Sequence, residues 1–393
     1  MRVLLVNKFY YQRGGDCTAV LNTEKLLKGK GHDVAVFSMQ HANNIHSDWK
    51  NYFPEEVHFS FPGFFKKASA AMRIFHSQDV FKQFSKLVAD FKPDVIHLHN
   101  IHSYISPLVA KIANDKGIRV VWTLHDYKLV CPVYTCLRDG NICEECFHNK
   151  RSVIKHKCMK NSNIASIIAY MEACYWSRKK LTKITNVFIS PSAFLKSKMT
   201  EAGYLPEQIE VLPNFMPQSI TPATEKEDYY CYAGRLSAEK GIDTLLEAAG
   251  QLPYPLKIIG GGPLLDIYRK KYKLSNIEFT GQMAPEELYP IVQKSRFLVI
   301  PSVWYENNPF SVIEALCMGT PAIGARIGGI PELIEEDKNG YLFTPGDVSE
   351  LRDKINLCFS DSVAFNYGKI ADAAYNKFSS EAFYNKLIRI YDQ

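Results

Sequence analysis

The chain has 393 residues, of which 46% are apolar, so its length and composition predict a globular protein of two domains. Lysine and arginine exceed aspartate and glutamate by 47 − 41 = 6, an excess too small to indicate nucleic acid as a partner. No stretch approaches the ~20 apolar residues of a membrane-spanning helix and no signal peptide is recognisable, so we expect a cytoplasmic protein with reduced cysteines.

The first predicted unit is a strand, a glycine-containing loop and a helix. Residues 2–7 form an apolar run that predicts a buried strand, and apolar positions at helical spacing follow the loop. Gly14 and Gly15 in that loop would let the backbone approach a ligand closely, with the N-terminus of the helix behind it. A second strand is predicted over residues 34–39, which completes a parallel βαβ unit.

Residues 41–91 combine phenylalanines with lysines and arginines. We expect amphipathic helices that pack their aromatic side chains on the sheet and leave the basic ones in water. The alternative is that part of this segment forms a surface that binds a ligand or faces a membrane.

Two more predicted strands end in polar residues. Residues 93–100 end in His99 and Asn100, and residues 118–124 are followed directly by His125. Ligands bind at the carboxyl ends of the strands in doubly wound parallel sheets. His99 and Asn100 are therefore candidates for ligand binding, with plain packing as the alternative, and a metal site at the histidines is disfavoured. The alternative role for His125 is that it only caps its strand.

Five cysteines lie in the polar stretch that follows. They are Cys131, Cys136, Cys143, Cys146 and Cys158. A C-x2-C pair with further cysteines within ~15 residues is typical of small structural zinc sites. The segment is thus a candidate for structural zinc, and five unrelated thiols are the alternative.

Basic residues gather after the cysteines. Residues 150–160 contain five lysines or arginines, and residues 178–183 contain four. A solvated face is one explanation of these clusters. The other is an anionic membrane surface to which the protein would bind.

The second domain is predicted to begin after a linker. Residues 217–227 are rich in proline, threonine and charge, and a strand over residues 229–233 follows. Arg235 and Lys240 lie on either side of the loop between that strand and the next helix. A guanidinium fork together with a lysine point charge suits a diphosphate.

The most informative stretch runs from an apolar strand at residues 297–302 into a short helix. Asn308 is a favoured N-cap and Pro309 suits the first helical position, so the helix is predicted to start at Asn308 with its N-terminus facing an anion. Glu306 lies in the loop before it, and Glu314 lies about 7 Å further along the axis. Two carboxylates around an anion site suit a nucleotide sugar, and the alternative is a capped helix with two surface glutamates. The predicted anion-binding residues at the helix start are Asn308, Pro309, Phe310 and Ser311.

Glu306 and Glu314 are separated by seven residues, and this pair resembles the E-x7-E signature of retaining glycosyltransferase family 4. The resemblance implies the α/β GT-B fold, in which two Rossmann-like doubly wound domains face each other across a cleft. It divides the chain into an acceptor-side domain at 1–214, a donor-binding domain at 215–375 and a C-terminal helix at 376–393 that crosses back. The cysteine-rich insertion would occupy about 131–158.

The resemblance also assigns roles to residues. Arg235 and Lys240 would hold the donor diphosphate, and His125 would lie against the donor sugar. Glu306 would position the sugar and Glu314 the ribose. The remaining donor-binding candidates are Gly14, Gly15, Gly262 and Met283. The acceptor candidates are His99 and Asn100.

The implied activity is retaining transfer from a nucleoside diphosphate sugar, with a UDP-sugar preferred over a GDP-sugar, to a glycan or lipid-linked acceptor in bacterial surface polysaccharide assembly. Catalysis would need no cofactor or metal, because basic residues replace the divalent cation. The protein would then work in the cytoplasm, at the inner face of the membrane. Alternatives are a nucleotide-sugar epimerase or phosphorylase on the same fold, and a non-catalytic sugar-nucleotide sensor. A dinucleotide-dependent dehydrogenase is disfavoured because the glycine fingerprint is missing.

Overall fold

The computed structural model of the protein describes residues 1–56, 77–223, 225–360 and 363–393. Its tertiary contacts separate two compact units. The first unit comprises Met1–Arg138, Cys143–Leu212 and Tyr384–Gln393, and the second comprises Asp139–Ile142 and Pro213–Phe383. Of the aromatic and basic segment predicted over residues 41–91, the stretch 57–76 lies outside the described residues.

The elements up to Leu212 alternate between strands and helices. The strands are β1 (Arg2–Val6), β2 (Asp33–Phe37), β3 (Val95–Leu98), β4 (Arg119–Thr123), the short β5 (Leu137–Arg138) and β6 (Asn141–Ile142), β7 (Val187–Ser190) and β8 (Ile209–Val211). The helices are α1 (Gly15–Gly29), α2 (Gln78–Phe91), α3 (Leu108–Asp115), α4 (Glu145–His148), α5 (Ser152–Lys155), α6 (Asn163–Tyr175), α7 (Arg178–Ile184) and α8 (Ala193–Glu201).

The elements from Pro213 onward repeat this alternation. The strands are β9 (Tyr230–Ala233), β10 (Leu256–Ile259), β11 (Ile277–Gly281), β12 (Leu298–Ile300), β13 (Ala322–Ala325) and β14 (Gly340–Phe343). The helices are α9 (Ile242–Ala249), α10 (Leu265–Lys271), α11 (Pro285–Lys294), α12 (Phe310–Cys317), α13 (Val348–Phe359), α14 (Tyr367–Phe378) and α15 (Ser380–Asp392). From Tyr384 on, α15 groups with the first unit.

Each unit is built on a parallel sheet of six strands. The spatial order is β2-β1-β3-β4-β7-β8 in the first sheet and β11-β10-β9-β12-β13-β14 in the second. Strands in a parallel sheet are covered on both faces, which is why they are continuous apolar runs. In β1, for example, Leu4 and Leu5 are fully buried. The strands predicted from such runs are confirmed, with ends that differ by no more than two residues.

In both sheets the order in which strands are added reverses beside the first strand of the unit. From β1 the chain adds β2 on one side and then places β3 on the other, and β9 is flanked by β10 and β12 in the same way. At such a point the loops at the carboxyl ends of the neighbouring strands leave the sheet in opposite directions and open a crevice, where ligands bind. The loops after β1, β3, β9 and β12 are therefore the places to examine for functional side chains.

Among the helices of the described ranges, none combines the length and the apolar character that crossing a bilayer would require.

Candidate functional site

In the first unit, the loops after β1 and β3 are joined by backbone and side-chain hydrogen bonds. The amide of Asn100 donates to Oδ1 of Asn7 at 3.0 Å, and its own side-chain Nδ2 donates to Oδ2 of Asp16 at 2.9 Å. Gly14 and Gly15 come directly before Asp16 and are exposed. The structure thus brings three predicted residues, Gly14, Gly15 and Asn100, to the point where the strand order of the first sheet reverses.

Histidines from β3 and the end of β4 form a buried hydrogen-bonded group. His99 Nδ1 lies 2.9 Å from His125 Nε2, and the two rings are stacked. His97 contacts the hydroxyl of Tyr391 through Nδ1 and that of Thr123 through Nε2, both at 2.7 Å. Two hydroxyl partners hold the His97 ring, so its position depends on the C-terminal helix α15.

These histidines are neutral at physiological pH. Burial lowers the pKa of His125 to about 4 and places that of His99 well below its usual value. A neutral imidazole has one donor and one acceptor nitrogen, so it can orient a hydroxyl group without adding charge. His125 therefore suits hydrogen bonding to a sugar better than neutralising a phosphate.

A small cavity opens at these strand ends. Two buried polar atoms in its lining, Nε2 of His99 and Oδ1 of Asn100, find no hydrogen-bond partner among the described residues. Buried polar atoms are nearly always paired, so such atoms indicate a place where a ligand or water binds. The lining consists of His99, Asn100, His102, Trp122, Thr123, Leu124, His125, Asp126 and Leu129.

In the second unit, the Glu306 carboxylate lies where the strand order of the sheet reverses, and it accepts hydrogen bonds from three donors. Oε1 of Glu306 accepts from Lys240 Nζ at 2.6 Å. The same oxygen accepts from Ser302 Oγ at 2.6 Å and from Trp304 Nε1 at 2.9 Å. Glu306 and Lys240, which follow β12 and β9, were predicted on separate grounds, and the structure pairs them.

Burial and pairing act on Glu306 in opposite directions. Burial alone would raise its pKa, but the Lys240 ammonium and the hydrogen bonds outweigh it and hold the pKa of Glu306 below its usual value. Glu306 is therefore an ionised carboxylate fixed in one orientation. A carboxylate held in this way can accept hydrogen bonds from the hydroxyls of a bound sugar.

The backbone of Glu306 is held by a second loop. The amide of Gly329 donates to the carbonyl of Glu306 at 2.7 Å. Gly328 has a φ of +61°, and a Cβ there would approach the amide nitrogen of Glu306 to 2.7 Å. Only glycine combines that conformation with so close an approach, so the Gly328-Gly329 pair supports the position of Glu306.

The start of the helix after Glu306 corrects the prediction. The helix begins at Phe310 with Pro309 in the cap position, so the prediction that Asn308 caps it was wrong. The side-chain oxygen of Asn308 instead accepts from the amide of Asn214 at 2.8 Å, and the Asn214 side chain donates to the carbonyl of Asn308. Ser311 lies in the first turn of the helix.

Glu314 is the fifth residue of α12 and is in contact with Tyr289. The hydroxyl of Tyr289 donates to Oε1 of Glu314 at 3.2 Å. Burial raises the pKa of Glu314 to about 7, and this single hydrogen bond only partly offsets it. A carboxylate whose charge is poorly stabilised gains from additional donors, such as the two hydroxyls of a ribose.

The remaining predicted residues lie at the carboxyl ends of their strands. Arg235 follows β9 and is exposed. Gly262 follows β10 with a φ of +152°, and a Cβ there would approach the backbone nitrogen of Leu236 to 2.7 Å. Met283 follows β11 and is half-buried. Arg235, Gly262 and Met283 thus surround the same edge of the second sheet as Lys240.

Two protein-family profiles match the sequence of this chain. The sequence profile described as Glycosyltransferase Family 4 matches residues 13–218, and that of Glycosyl transferases group 1 matches residues 218–377. The first match alone spans more than half of the chain. The chain belongs to glycosyltransferase family 4.

Individual relatives agree with the family assignment. An uncharacterized 42.6 kDa protein in the cps region of Klebsiella pneumoniae is 26% identical over 393 residues, which cover 95% of this chain and 98% of that protein. The lipopolysaccharide 1,6-galactosyltransferase of Escherichia coli K12 is 26% identical over 214 residues, 51% of this chain and 59% of the relative. An Anabaena protein solved in complex with UDP and glucose matches over 100% of both chains, with a TM-score of 0.68 and 17% identity. That likeness shows the fold, which is the predicted GT-B architecture.

Several site residues of this glycosyltransferase were missed by sequence reasoning. Ser302 and Trp304 are within four residues of Glu306, so a search for donors near a buried carboxylate would have found them. Tyr289 contacts Glu314 across 25 positions of sequence, and Tyr391 contacts His97 across 294. No spacing rule reaches that far.

The cysteine-rich segment of the glycosyltransferase brings its thiols together. Cys131 and Cys136 share a hydrogen bond, which lowers the pKa of Cys131 to about 6 and raises that of Cys136. Cys146 is close enough to Cys131, Cys143 and Cys158 for their charges to act on it. All five are free thiols, and in the described part of the chain no three His, Cys, Asp or Glu side chains are arranged to hold a metal ion. Structural zinc stays a prediction.

Proposed function

We propose that this glycosyltransferase moves a sugar from a nucleoside diphosphate sugar to a glycan or lipid-linked acceptor with retention of anomeric configuration. The observation that carries the proposal is the Glu306 carboxylate, fixed by Lys240, Ser302 and Trp304 where the strand order of the second sheet reverses. Such a carboxylate can position a sugar beside the cation that binds its leaving group.

The residues of the second unit have separate tasks in this proposal. Lys240 and Arg235 bind the diphosphate, whose negative charge grows as the bond from the sugar C1 to the phosphate oxygen breaks. Glu306 orients the sugar hydroxyls, and Glu314 accepts from the ribose. A new bond forms between C1 and the acceptor oxygen, and the departing diphosphate takes the acceptor proton. No protein nucleophile and no divalent cation takes part.

The first unit supplies neutral hydrogen-bonding groups. His125 is proposed to bind a hydroxyl of the transferred sugar, and His99 and Asn100 to bind the acceptor. The support for this is the pair of unpartnered buried atoms at His99 and Asn100. We place the reaction in the cytoplasm.

A UDP-sugar is the proposed donor, and assembly of a bacterial surface polysaccharide is the proposed context. The Anabaena structure contains UDP and glucose, and the E. coli relative is a lipopolysaccharide galactosyltransferase. Other relatives include a GDP-mannose-dependent α-mannosyltransferase, so the nucleobase needs a direct test. Thermal unfolding in the presence of different nucleoside diphosphate sugars provides it, since a ligand at 100 times its Kd stabilises by about 2.7 kcal/mol.

Retention and metal independence are tested by proton NMR with the donor identified in this way. The α-linked donor is incubated with candidate glycan acceptors, with and without a strong chelator. We expect an α-linked product at the same rate in both samples. A β-linked product would contradict the mechanism. So would transfer that stops with the chelator and resumes with a divalent metal while the thermal stability of the protein stays unchanged.

A further inference from the structure

Helix α6 (Asn163–Tyr175) exposes large apolar side chains and buries small and polar ones, which is the reverse of an ordinary surface helix. The side chains at Ile164, Ile167, Met171 and Tyr175 are 73%, 41%, 49% and 42% exposed. These four positions follow one another at intervals of three or four residues and form one stripe along the helix, with the half-buried Ile168 beside it. Four of the eleven large apolar side chains that are exposed in the described residues thus lie on a single helix.

The other face of α6 is small and polar, and it fixes the helix to the first unit. Ser166 is fully buried and accepts from the amide of Met159 at 3.1 Å. Glu172 is 5% exposed and pairs with Lys128 Nζ at 2.8 Å. Because the buried face is held by a hydrogen bond and an ion pair, the helix cannot turn its apolar stripe inward without leaving a buried charge unpaired.

The chain on both sides of the stripe is basic. Between residues 146 and 200 the only acidic residue is Glu172, which is already paired with Lys128. Lys180 places its ammonium 4.2 Å from the centre of the Tyr175 ring. Arg151 is close enough to Tyr170 of α6 for that residue to raise its pKa. The exposed basic residues of this region are Arg151, Lys155, Lys157, Lys160, Arg178, Lys179, Lys180 and Lys183.

We infer that the α6 stripe inserts into the surface of an anionic phospholipid bilayer, with the flanking lysines and arginines on the lipid phosphates. An apolar stripe bordered by positive charge matches the two layers of such a surface, namely acyl chains below and anionic headgroups above. A protein partner of comparable fit would need an acidic rim around an apolar groove. The inference goes beyond the proposed reaction, because it concerns where the first unit is held and requires neither the donor nor retention.

Sedimentation of the full chain with vesicles tests this assignment. Two vesicle preparations are used, phosphatidylcholine alone and phosphatidylcholine mixed with phosphatidylglycerol, each at low and high salt. We expect binding to the mixed vesicles at low salt and several-fold weaker binding at high salt, since charges at the surface are screened beyond ~8 Å at physiological salt. Equal binding to both preparations, or no binding, would overturn the inference.

Substitutions then locate the contact. The double variant Ile164→Glu, Met171→Glu should lower the partition coefficient on mixed vesicles by about tenfold or more, because it places two carboxylates in the inserted stripe. Ile267→Glu is the matched control, since that side chain is 55% exposed on α10 of the second unit, and we expect its binding to stay within about twofold of wild type.

Thermal unfolding and donor binding show whether each variant remains folded. We expect that it does, because Ile164, Met171 and Ile267 are all exposed. Undiminished vesicle binding by the double variant would overturn the role of α6. So would light scattering that shows a dimer in the wild type and a monomer in the double variant, together with no vesicle binding. That result would assign the stripe to a second copy of the chain.

Discussion

At the scale of single residues, the ionised Glu306 depends on Lys240. The glutamate side chain is 7% exposed and the lysine side chain 23%, so solvent does little to stabilise either charge alone. Lys240→Met should therefore lower the free energy of unfolding by about 2 kcal/mol, less than the loss for a fully buried pair. Urea unfolding measures this loss, and donor turnover should fall in the same variant because the diphosphate loses one of its two cationic partners.

The double variant Lys240→Met, Glu306→Gln separates stability from activity. Its carboxamide needs no cation, so we expect stability to recover most of the loss while turnover stays low. Turnover close to wild type in either variant would remove Lys240 from the proposed mechanism.

Glu314 gives a prediction that depends on pH. Its pKa rises from 4.5 to about 7 on folding, so the folded state binds the proton more tightly than the unfolded chain. The contribution of this group to stability is therefore full below pH 4.5, falls as the pH rises through about 7, and stays low above it. Glu314→Gln should raise the free energy of unfolding above pH 7 by on the order of 1 kcal/mol, with little change near pH 4. If the stability of wild type and of Glu314→Gln varies with pH in parallel, the shifted pKa of Glu314 is contradicted.

At the scale of elements, the C-terminal helix α15 is coupled to the histidine group through Tyr391. Its hydroxyl lies 2.7 Å from His97 Nδ1, and both residues are buried. Tyr391→Phe leaves that nitrogen without a partner and should cost about 1–3 kcal/mol of stability. Tyr384→Phe is the control, because Tyr384 makes the same kind of bond to His32 at 2.8 Å where solvent can replace it. Urea unfolding should show a clearly smaller loss of stability for Tyr384→Phe than for Tyr391→Phe. Equal losses would contradict the claim that water cannot replace the buried bond between Tyr391 and His97.

The cysteine-rich segment is a second element with its own test. If the predicted zinc site exists, purified protein should contain about one metal ion per chain and lose thermal stability on treatment with a strong chelator. Protein without metal but of full stability would refute it.

At the scale of the whole molecule, much of the architecture could be predicted because parallel strands are long apolar runs and functional residues follow them. Glu306, Lys240 and His125 all come directly after, or a few residues beyond, a predicted strand. Their partners could not be predicted in the same way. The side-chain oxygen of Asn308, which the sequence assigned to helix capping, instead accepts a hydrogen bond from the amide of Asn214, 94 positions away. Local patterns contain no information about which distant group will compete for an atom.

The orientation of α6 was also beyond the sequence. Apolar residues at helical spacing ordinarily mark the buried face of a helix. Here the ion pair between Glu172 and Lys128 and the hydrogen bond at Ser166 set the opposite orientation. Only the tertiary structure shows that these polar groups lie on the buried face of the helix.

The most direct test of the central claim is calorimetric titration of UDP and of the matching UDP-sugar into wild type and two variants. Glu314→Gln should weaken both ligands by about 1.5–3 kcal/mol, because both contain the ribose. Glu306→Gln should weaken only the UDP-sugar and leave UDP as tight as in wild type or tighter, because Lys240 is released to the diphosphate. Equal weakening of both ligands by Glu306→Gln, or no effect of either variant, would contradict the assignment of these two carboxylates to sugar and ribose.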